Sequence, residues 1–149
     1  MRVLALLTLL SLGSSFAVTC PPSFAAFPTA AWRPGNARPN LNTPDKRLFR
    51  TMIRMGARSG DAFGDRYRLA TWGCGTACLQ SALVDTRSGE VIPAPDLILG
   101  YEVKAGSRLL VVSPLGQDET PAQRRQMAVN VLPTYDLLQG RSFVQICVP

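Results

Sequence analysis

The sequence contains no histidine among its 149 residues. This absence excludes serine–histidine and cysteine–histidine nucleophile systems, metal sites built on histidine and a histidine pH switch. The chain also lacks the Gly-x-Ser-x-Gly pattern of an exposed nucleophilic serine and a glycine-rich phosphate-binding loop. Any enzyme made from this chain would depend on Asp, Glu, Lys, Tyr or Cys alone. We therefore expect a protein without a catalytic residue set, a metal site or a cofactor.

A carboxylate pair of the glycosidase type is not indicated either. The acidic side chains that could form such a pair are Asp85, Glu90, Asp96 and Glu102. They are spaced as turn and strand residues, so turn chemistry explains Asp85 and solvation explains the others. Catalysis is therefore a weaker interpretation of these carboxylates than turn formation and solvation.

Long apolar runs are also scarce, and the one that stands out is at the start of the chain. Arg2 gives a positive start, residues 3–12 are apolar with few interruptions, and a small-x-small cleavage site ends at Ala17. The run is shorter than the roughly 20 apolar residues that a membrane-spanning helix needs. The pattern predicts a signal peptide over residues 1–17. We expect an exported protein, periplasmic or secreted, that begins at Val18 and has no transmembrane segment.

The charge is moderately positive. The formal net charge is +6, and loss of Arg2 with the signal peptide lowers it to +5. Such a bias favours anionic surfaces and ligands. The basic residues are not interleaved with the aromatic residues on which single-stranded nucleic acids stack, and an exported protein rarely meets nucleic acid. We therefore expect an anionic envelope component or another protein as the partner, and no nucleic acid.

Residues 18–43 form a proline-rich segment ahead of the domain. The prolines that keep it and its junction extended are Pro21, Pro22, Pro28, Pro34, Pro39 and Pro44. A flexible spacer or recognition arm is one interpretation. However, Phe24, Phe27 and Trp32 are large apolar residues that usually reach a core. We favour an extended segment that lies on the surface of the domain.

A helix is predicted over residues 44–58, with Thr43 as its N-cap and proline at its first position. Its apolar residues are Leu48, Phe49, Met52, Ile53 and Met55, which we place on one face. Its basic residues, each four apart, are Lys46, Arg50, Arg54 and Arg58. Like charges four residues apart destabilise an isolated helix, and a bound anion would compensate for their repulsion. These four residues are therefore a candidate anion-binding face. The alternative is a solvated face whose last arginines suit the helix C-terminus.

Beyond the helix the apolar pattern has a period of two. Strands are predicted over residues 66–72, 79–86, 91–92, 98–103, 108–113, 129–138 and 142–148. Short turns join most of them, so neighbouring strands should be antiparallel. The sequence predicts an α+β fold in a single domain, residues 44–149. In it, one antiparallel β-meander of about five to seven strands packs against the amphipathic N-terminal helix.

Four cysteines in an exported chain indicate two disulfides. Three connectivities are possible. Because the two ends of a domain often lie close together, we pair Cys20 with Cys147 and, as a consequence, Cys74 with Cys78.

The second pair lies in the unusual segment Trp72-Gly73-Cys74-Gly75-Thr76-Ala77-Cys78. A structural bridge in a sharp turn is the favoured interpretation, since glycine on both sides of Cys74 allows the chain to reverse. A reversible dithiol and a Cu(I) site are the alternatives. No lysine or histidine is adjacent to lower a thiol pKa, and two sulfurs leave a tetrahedral ion short of ligands.

Several motifs carry a resemblance to known sequences. They are Phe63-Gly64-Asp65-Arg66-Tyr67, Trp72-Gly73-Cys74-Gly75-x-x-Cys78, Val84-Asp85-x-x-x-Gly89-x-Val91 and Ser107-Arg108-Leu109-Leu110-Val111-Val112. Between about residues 46 and 147 the chain resembles a group of uncharacterised exported bacterial proteins with a Trp-Gly-Cys-Gly-x-x-Cys core motif. The resemblance implies an envelope or secreted location and no particular reaction. Asp65-Arg66 stands where similar proteins carry a histidine before the tyrosine, which argues against a shared histidine-dependent activity.

Together these observations predict a small, disulfide-stabilised exported domain that is a non-enzymatic binding or interaction protein of the envelope or the secreted fraction. The alternative is a thiol-disulfide or Cu(I)-handling protein that uses Cys74 and Cys78.

Overall fold

The computed structural model describes residues 19–76, 78–127 and 131–147, and these contain eight strands and three short α-helices. The strands are β1 (Asp61–Phe63), β2 (Tyr67–Gly75), β3 (Cys78–Asp85), β4 (Val91–Ile98), β5 (Tyr101–Val103), β6 (Leu109–Val112), β7 (Thr134–Gln139) and β8 (Ser142–Cys147). The helices are α1 (Pro44–Leu48), α2 (Arg50–Ser59) and α3 (Pro121–Arg125). The predicted signal peptide and the predicted strand residues 129–130 and 148 lie outside the described residues.

The strands form two four-stranded antiparallel sheets in the orders β1-β2-β3-β4 and β5-β6-β7-β8. The α+β class is therefore confirmed, whereas the prediction of one sheet of about five to seven strands was wrong. The predicted strand over 98–103 is interrupted at Leu99 and Gly100, whose φ angles are 57° and 98°. Two consecutive residues in the left-handed region cannot continue a strand, so the chain leaves the first sheet there and starts the second.

The main core lies between the two sheets. Its buried residues are Phe63, Tyr67, Leu69, Leu83, Ile92, Leu97, Leu110, Val112 and Leu138. On β2 and β6 they lie at alternate positions, as expected when one face of each sheet packs on the other. Full burial of each Leu, Ile or Phe side chain contributes roughly 1.5–3 kcal/mol, so this layer provides most of the apolar stabilisation.

Helix α2 packs on the outer face of the β1–β4 sheet. Ile53 is buried there, and Gly56 approaches so closely that a Cβ atom on it would lie 2.1 Å from the Cβ atom of Ala70. The predicted single helix is interrupted at Phe49, and α1 and α2 are separate. The predicted apolar face was also partly wrong, because Leu48 and Met55 are 73% and 56% exposed. At about 100° per residue, Met55 lies on the opposite side of α2 from Ile53.

Residues 19–43, which we call the strap, lie along the domain in a mostly extended conformation, with one turn of 3-10 helix over Phe24–Ala26. The strap contacts the second sheet first, where Pro28 forms a β-bridge with Ser107. It then reaches the turn after β3, where the amides of Ala37 and Asn40 donate to the carbonyls of Thr86 and Gly89 at 2.8 and 2.7 Å. These backbone contacts hold the strap along its length, so it is not a free arm.

The described residues contain two disulfides, and none of their cysteines is free. Cys20 at the start of the strap is bonded to Cys147 at the end of β8, and Cys74 is bonded to Cys78 across the β2–β3 hairpin. No helix in the described ranges has the length and apolar character to cross a bilayer.

Candidate functional site

Four arginines from three elements surround one groove between the strap, α2 and β2. Arg38 comes from the strap, Arg54 and Arg58 come from α2, and Arg68 comes from β2. Strap residues 34–39 form the opposite wall, and the enclosed volume is about 750 Å³. This volume is within the roughly 300–1,000 Å³ of small-molecule sites. We call this feature the arginine groove.

The strap wall is held in position by the turn after β3. The amide of Gly35 donates to the hydroxyl of Thr86 at 2.9 Å, and that hydroxyl donates to the carbonyl of Arg66 at 2.6 Å. A Cβ atom on Gly35 would lie 2.5 Å from the Thr86 carbonyl oxygen, so only glycine allows the strap to approach this closely. The wall is therefore positioned by backbone contacts.

Arg68 is fixed at the base of the groove. One guanidinium nitrogen donates to the carbonyl of Gly60 at 2.5 Å, and the guanidinium carbon lies 4.9 Å from the ring centroid of Trp32. A cation over an indole face is held by the ring quadrupole. Arg68 is thus a pre-positioned charge rather than a freely moving side chain.

The positive charge of the arginine groove has no carboxylate to balance it. The described residues that line the groove include no Asp or Glu. Within residues 19–76, 78–127 and 131–147, the arginines that form ion pairs are Arg66, Arg87, Arg124 and Arg141, all elsewhere. Guanidinium groups bind phosphate and carboxylate with paired N–H donors, so the groove has the chemistry of an anion site.

The structure divides the predicted basic face. Arg54 and Arg58 lie in the arginine groove, whereas Lys46 lines a different groove and Arg50 donates to the carbonyl of Arg47 at 3.3 Å. The negative end of the helix dipole explains Arg58, which lies in the last turn of α2. It does not explain Arg38 and Arg68, since these come from other elements. Helical spacing could not have predicted those two, because the strap and the sheet bring them to the groove.

The Cys74–Cys78 bridge lies at the tip of the β2–β3 hairpin. Cys74 is exposed, the strand register shifts between Gly73 and Gly75, and nothing lies within 4 Å of a Cβ atom built on either glycine. Trp72 anchors the base of this tip, because its indole N–H donates to Gln80 Oε1 at 2.8 Å. The bridge therefore projects beyond the packed part of the sheet.

The thioether sulfurs of Met52 and Met55, which could supply further ligands to a Cu(I) ion, are not gathered at this bridge. Met52 and Met55 line a cavity of about 230 Å³ together with Tyr101. No group of three or more Cys, Asp or Glu residues suited to a metal ion occurs in the part of the chain that the structure describes.

Two of the carboxylates considered for catalysis, Asp85 and Glu90, have structural contacts instead. Asp85 accepts the backbone N–H groups of Arg87 and Ser88 at 2.8 and 3.2 Å, and its carboxylate lies 3.0 Å from the Arg66 guanidinium. Burial alone would raise the pKa of Asp85, but the backbone and side-chain hydrogen bonds and the Arg66 charge outweigh it and the pKa falls. Glu90 is paired with Arg141. Asp85 therefore stays ionised as part of a turn.

Comparison with protein-family models, with curated proteins and with solved structures finds no match to this chain. The arginine groove is therefore the feature from which we infer a function.

Proposed function

We propose that this protein is an exported, non-enzymatic binding protein that holds an anionic ligand in the arginine groove. The observation that carries the proposal is the convergence of Arg38, Arg54, Arg58 and Arg68 on one preformed groove without a lining carboxylate. The ligand is an anionic envelope component, such as a phosphate-bearing polymer or lipid headgroup, or an acidic protein segment.

The shape of the groove favours a ligand that enters it over a flat charged surface. The arginines stand around a concave volume of about 750 Å³ with the strap as one wall. A planar membrane contacts protruding side chains equally well wherever they lie, whereas a groove selects groups that fit between its walls. Arg68 contributes a fixed charge, which reduces the entropy lost on binding.

Paired charge reversals test the groove directly. We expect inorganic tripolyphosphate, measured by isothermal titration calorimetry, to bind the unmodified protein and to bind Arg54→Glu/Arg58→Glu at least tenfold more weakly. Hydrogen bonds to charged groups contribute about 1.5–3 kcal/mol each, and 1.4 kcal/mol is tenfold in affinity. Raising the salt concentration should weaken binding to the unmodified protein.

The matched control is Arg108→Glu/Arg125→Glu, which changes the net charge equally at two exposed residues outside the groove. Affinity for tripolyphosphate within twofold of the unmodified value is expected for this variant. Equal losses in both variants would mean that net charge alone governs binding, and absence of binding to the unmodified protein would reject the proposal. Co-sedimentation with phosphatidylglycerol vesicles then separates a headgroup ligand from a soluble phosphate ligand.

A second candidate function is thiol-disulfide exchange at Cys74 and Cys78, with Cu(I) binding by the reduced pair as a related role. Its support is the exposure of Cys74 at the hairpin tip, where an exchange partner could reach the sulfur. Thiol counting under denaturing conditions, on protein taken from its native compartment, tests this function. Two titratable thiols and a reduction potential well above about −300 mV would support exchange, and zero free thiols would argue against it.

A further inference from the structure

A second groove lies on the outer face of the β1–β4 sheet, beside the N-terminal end of α2. It encloses about 440 Å³, which is again the size of a small-molecule site. The residues on which the inference rests are Asp45, Lys46, Phe49, Trp72, Gln80 and Asp96. We call it the aromatic groove.

One wall of the aromatic groove is a fixed pair of rings. Phe49 and Trp72 are stacked with their centroids 4.8 Å apart and their planes 23° apart. The indole N–H of Trp72 donates to Gln80 Oε1 at 2.8 Å, so the ring cannot turn freely. Both rings are only half-buried. The groove thus presents a rigid aromatic wall that is accessible from solvent.

The floor of the aromatic groove is formed by buried residues with no unsatisfied polar group, among them Ile53, Ala82 and Val91. Ser81 and Ala82 are both buried, and the hydroxyl of Ser81 donates to the carbonyl of Pro95 at 2.7 Å. An apolar floor beside an aromatic wall suits the apolar face of a ring.

The polar groups at the aromatic groove carry both signs. Asp45 and Asp96 supply hydrogen-bond acceptors, and Lys46 supplies a donor. The amide nitrogen of Gln80 is a further donor, since its oxygen is already used by Trp72. The carboxylates would repel an anionic ligand, and Lys46 would repel a cationic one. A neutral ligand with many hydroxyl groups needs both donors and acceptors, so it suits this mixture.

A peptide that adds a strand to the neighbouring edge of the sheet is a poorer fit. Strand β4 is that edge, and it contains Pro93 and Pro95. Proline has no backbone N–H, so two of the donors that a β-ladder would need are missing from the strand.

We infer that the aromatic groove binds a neutral sugar unit. The apolar C–H face of the pyranose packs against the Phe49–Trp72 wall, and Asp45, Lys46, Gln80 and Asp96 hydrogen-bond its hydroxyl groups. This site is separate from the arginine groove and does not depend on the function proposed for that groove.

Saturation-transfer NMR on the whole protein tests the sugar site, with chitotriose, cellotriose and maltotriose at millimolar concentration as probes. At least one trisaccharide should receive saturation. Trp72→Ala should weaken its binding about tenfold, which corresponds to loss of one aromatic contact. Asp96→Ala, a change at an exposed edge-strand residue, should weaken binding several-fold and serves as the deciding variant if Trp72→Ala does not fold.

Two controls should leave trisaccharide binding unchanged. Trp32→Phe alters the other tryptophan of the chain, and Arg54→Glu/Arg58→Glu alters the arginine groove. The inference is overturned if none of the three trisaccharides receives saturation. It is also overturned if binding persists undiminished in the folded Trp72 and Asp96 variants, or if the arginine double variant abolishes it.

Discussion

Removal of the two disulfides, one at a time, should have very different consequences for stability. The perturbations are Cys20→Ser/Cys147→Ser and Cys74→Ser/Cys78→Ser. The first bridge joins residues 127 apart in sequence and the second joins residues four apart. A bridge restricts the unfolded chain more when the loop it closes is longer, so the long bridge should stabilise the fold more.

The chain-entropy relation gives the size of the difference. It yields about 4.9 kcal/mol for a loop of about 128 residues and about 2.1 kcal/mol for a loop of about five. An unfolding entropy of about 2.1 cal/mol/K per residue gives about 0.27 kcal/mol/K for about 130 residues. The melting temperature should therefore fall by about 18 °C without the long bridge and by about 8 °C without the short one.

Thermal unfolding by circular dichroism or calorimetry, under oxidising conditions, measures both shifts against the unmodified protein. A loss for the Cys74/Cys78 variant as large as that for the Cys20/Cys147 variant would refute the reasoning. It would mean that native contacts at the hairpin tip, rather than the length of the closed loop, determine the contribution.

Hydrogen exchange on the long-bridge variant adds a check on the strap. The amides of Ala37 and Asn40 donate to carbonyls of the turn after β3, far along the strap from Cys20. They should stay protected when the bridge is absent. Full loss of their protection would show that the Cys20 tether, and not the hydrogen bonds, keeps the strap on the domain.

Two further predictions concern single contacts. Burial and the hydrogen bond to Asp61, 2.6 Å from the Tyr101 hydroxyl, raise the pKa of Tyr101 to about 12. The folded pKa is above the ordinary value of 10, so this stabilisation is complete below about pH 10 and is lost between pH 10 and 12. Tyr101→Phe should lower the free energy of unfolding by about 1 kcal/mol at pH 7, and urea midpoints should converge with those of the unmodified protein across that range. Gly56→Ala should destabilise the protein by about 1–3 kcal/mol in urea unfolding, because the added methyl group would collide with Ala70. This loss should outweigh the higher helix propensity of alanine. The control Met55→Ala, at an exposed position of the same helix, should change the free energy of unfolding by less than about 0.5 kcal/mol.

The local structure could be predicted from the sequence where one residue determines it. Thr43 caps α1 as predicted, since its hydroxyl accepts the amide of Lys46 at 3.4 Å and Pro44 is the first helical residue. The turn after β3 also follows from residue types, because Gly89 adopts a φ of 78° and Asp85 accepts the turn amides.

The division into two sheets could not be predicted in the same way. The segment from Ile98 to Val103 is mostly apolar and reads as one strand, and leucine at position 99 does not indicate a left-handed conformation. Packing of the two sheets on each other imposes the bend there. A local pattern contains no information about that packing.

The candidate site was predictable only in part for a related reason. The helical spacing of the basic residues predicted Arg54 and Arg58, which lie on one side of α2. Arg38 and Arg68 are distant from them in sequence, and their approach depends on how the strap docks on the turn after β3. Such docking depends on tertiary contacts such as the close approach of Gly35 to Thr86.

Each sheet is built from a continuous stretch of chain, residues 61–98 and 101–147, and this determines the order in which the molecule can assemble. Both sheets can form by pairing of neighbouring strands as the chain emerges. The strap is made first but can dock only after the segments that hold its partners at Thr86, Gly89 and Ser107 have been made. Cys147 is the last cysteine to be synthesised, so Cys20 has no native partner at the time when Cys74 and Cys78 are already present. Closing a five-residue loop costs less chain entropy than closing the loop of more than fifty residues back to Cys20, so Cys74 and Cys78 meet each other more often than either meets Cys20, which favours the native short bridge over a mispaired one.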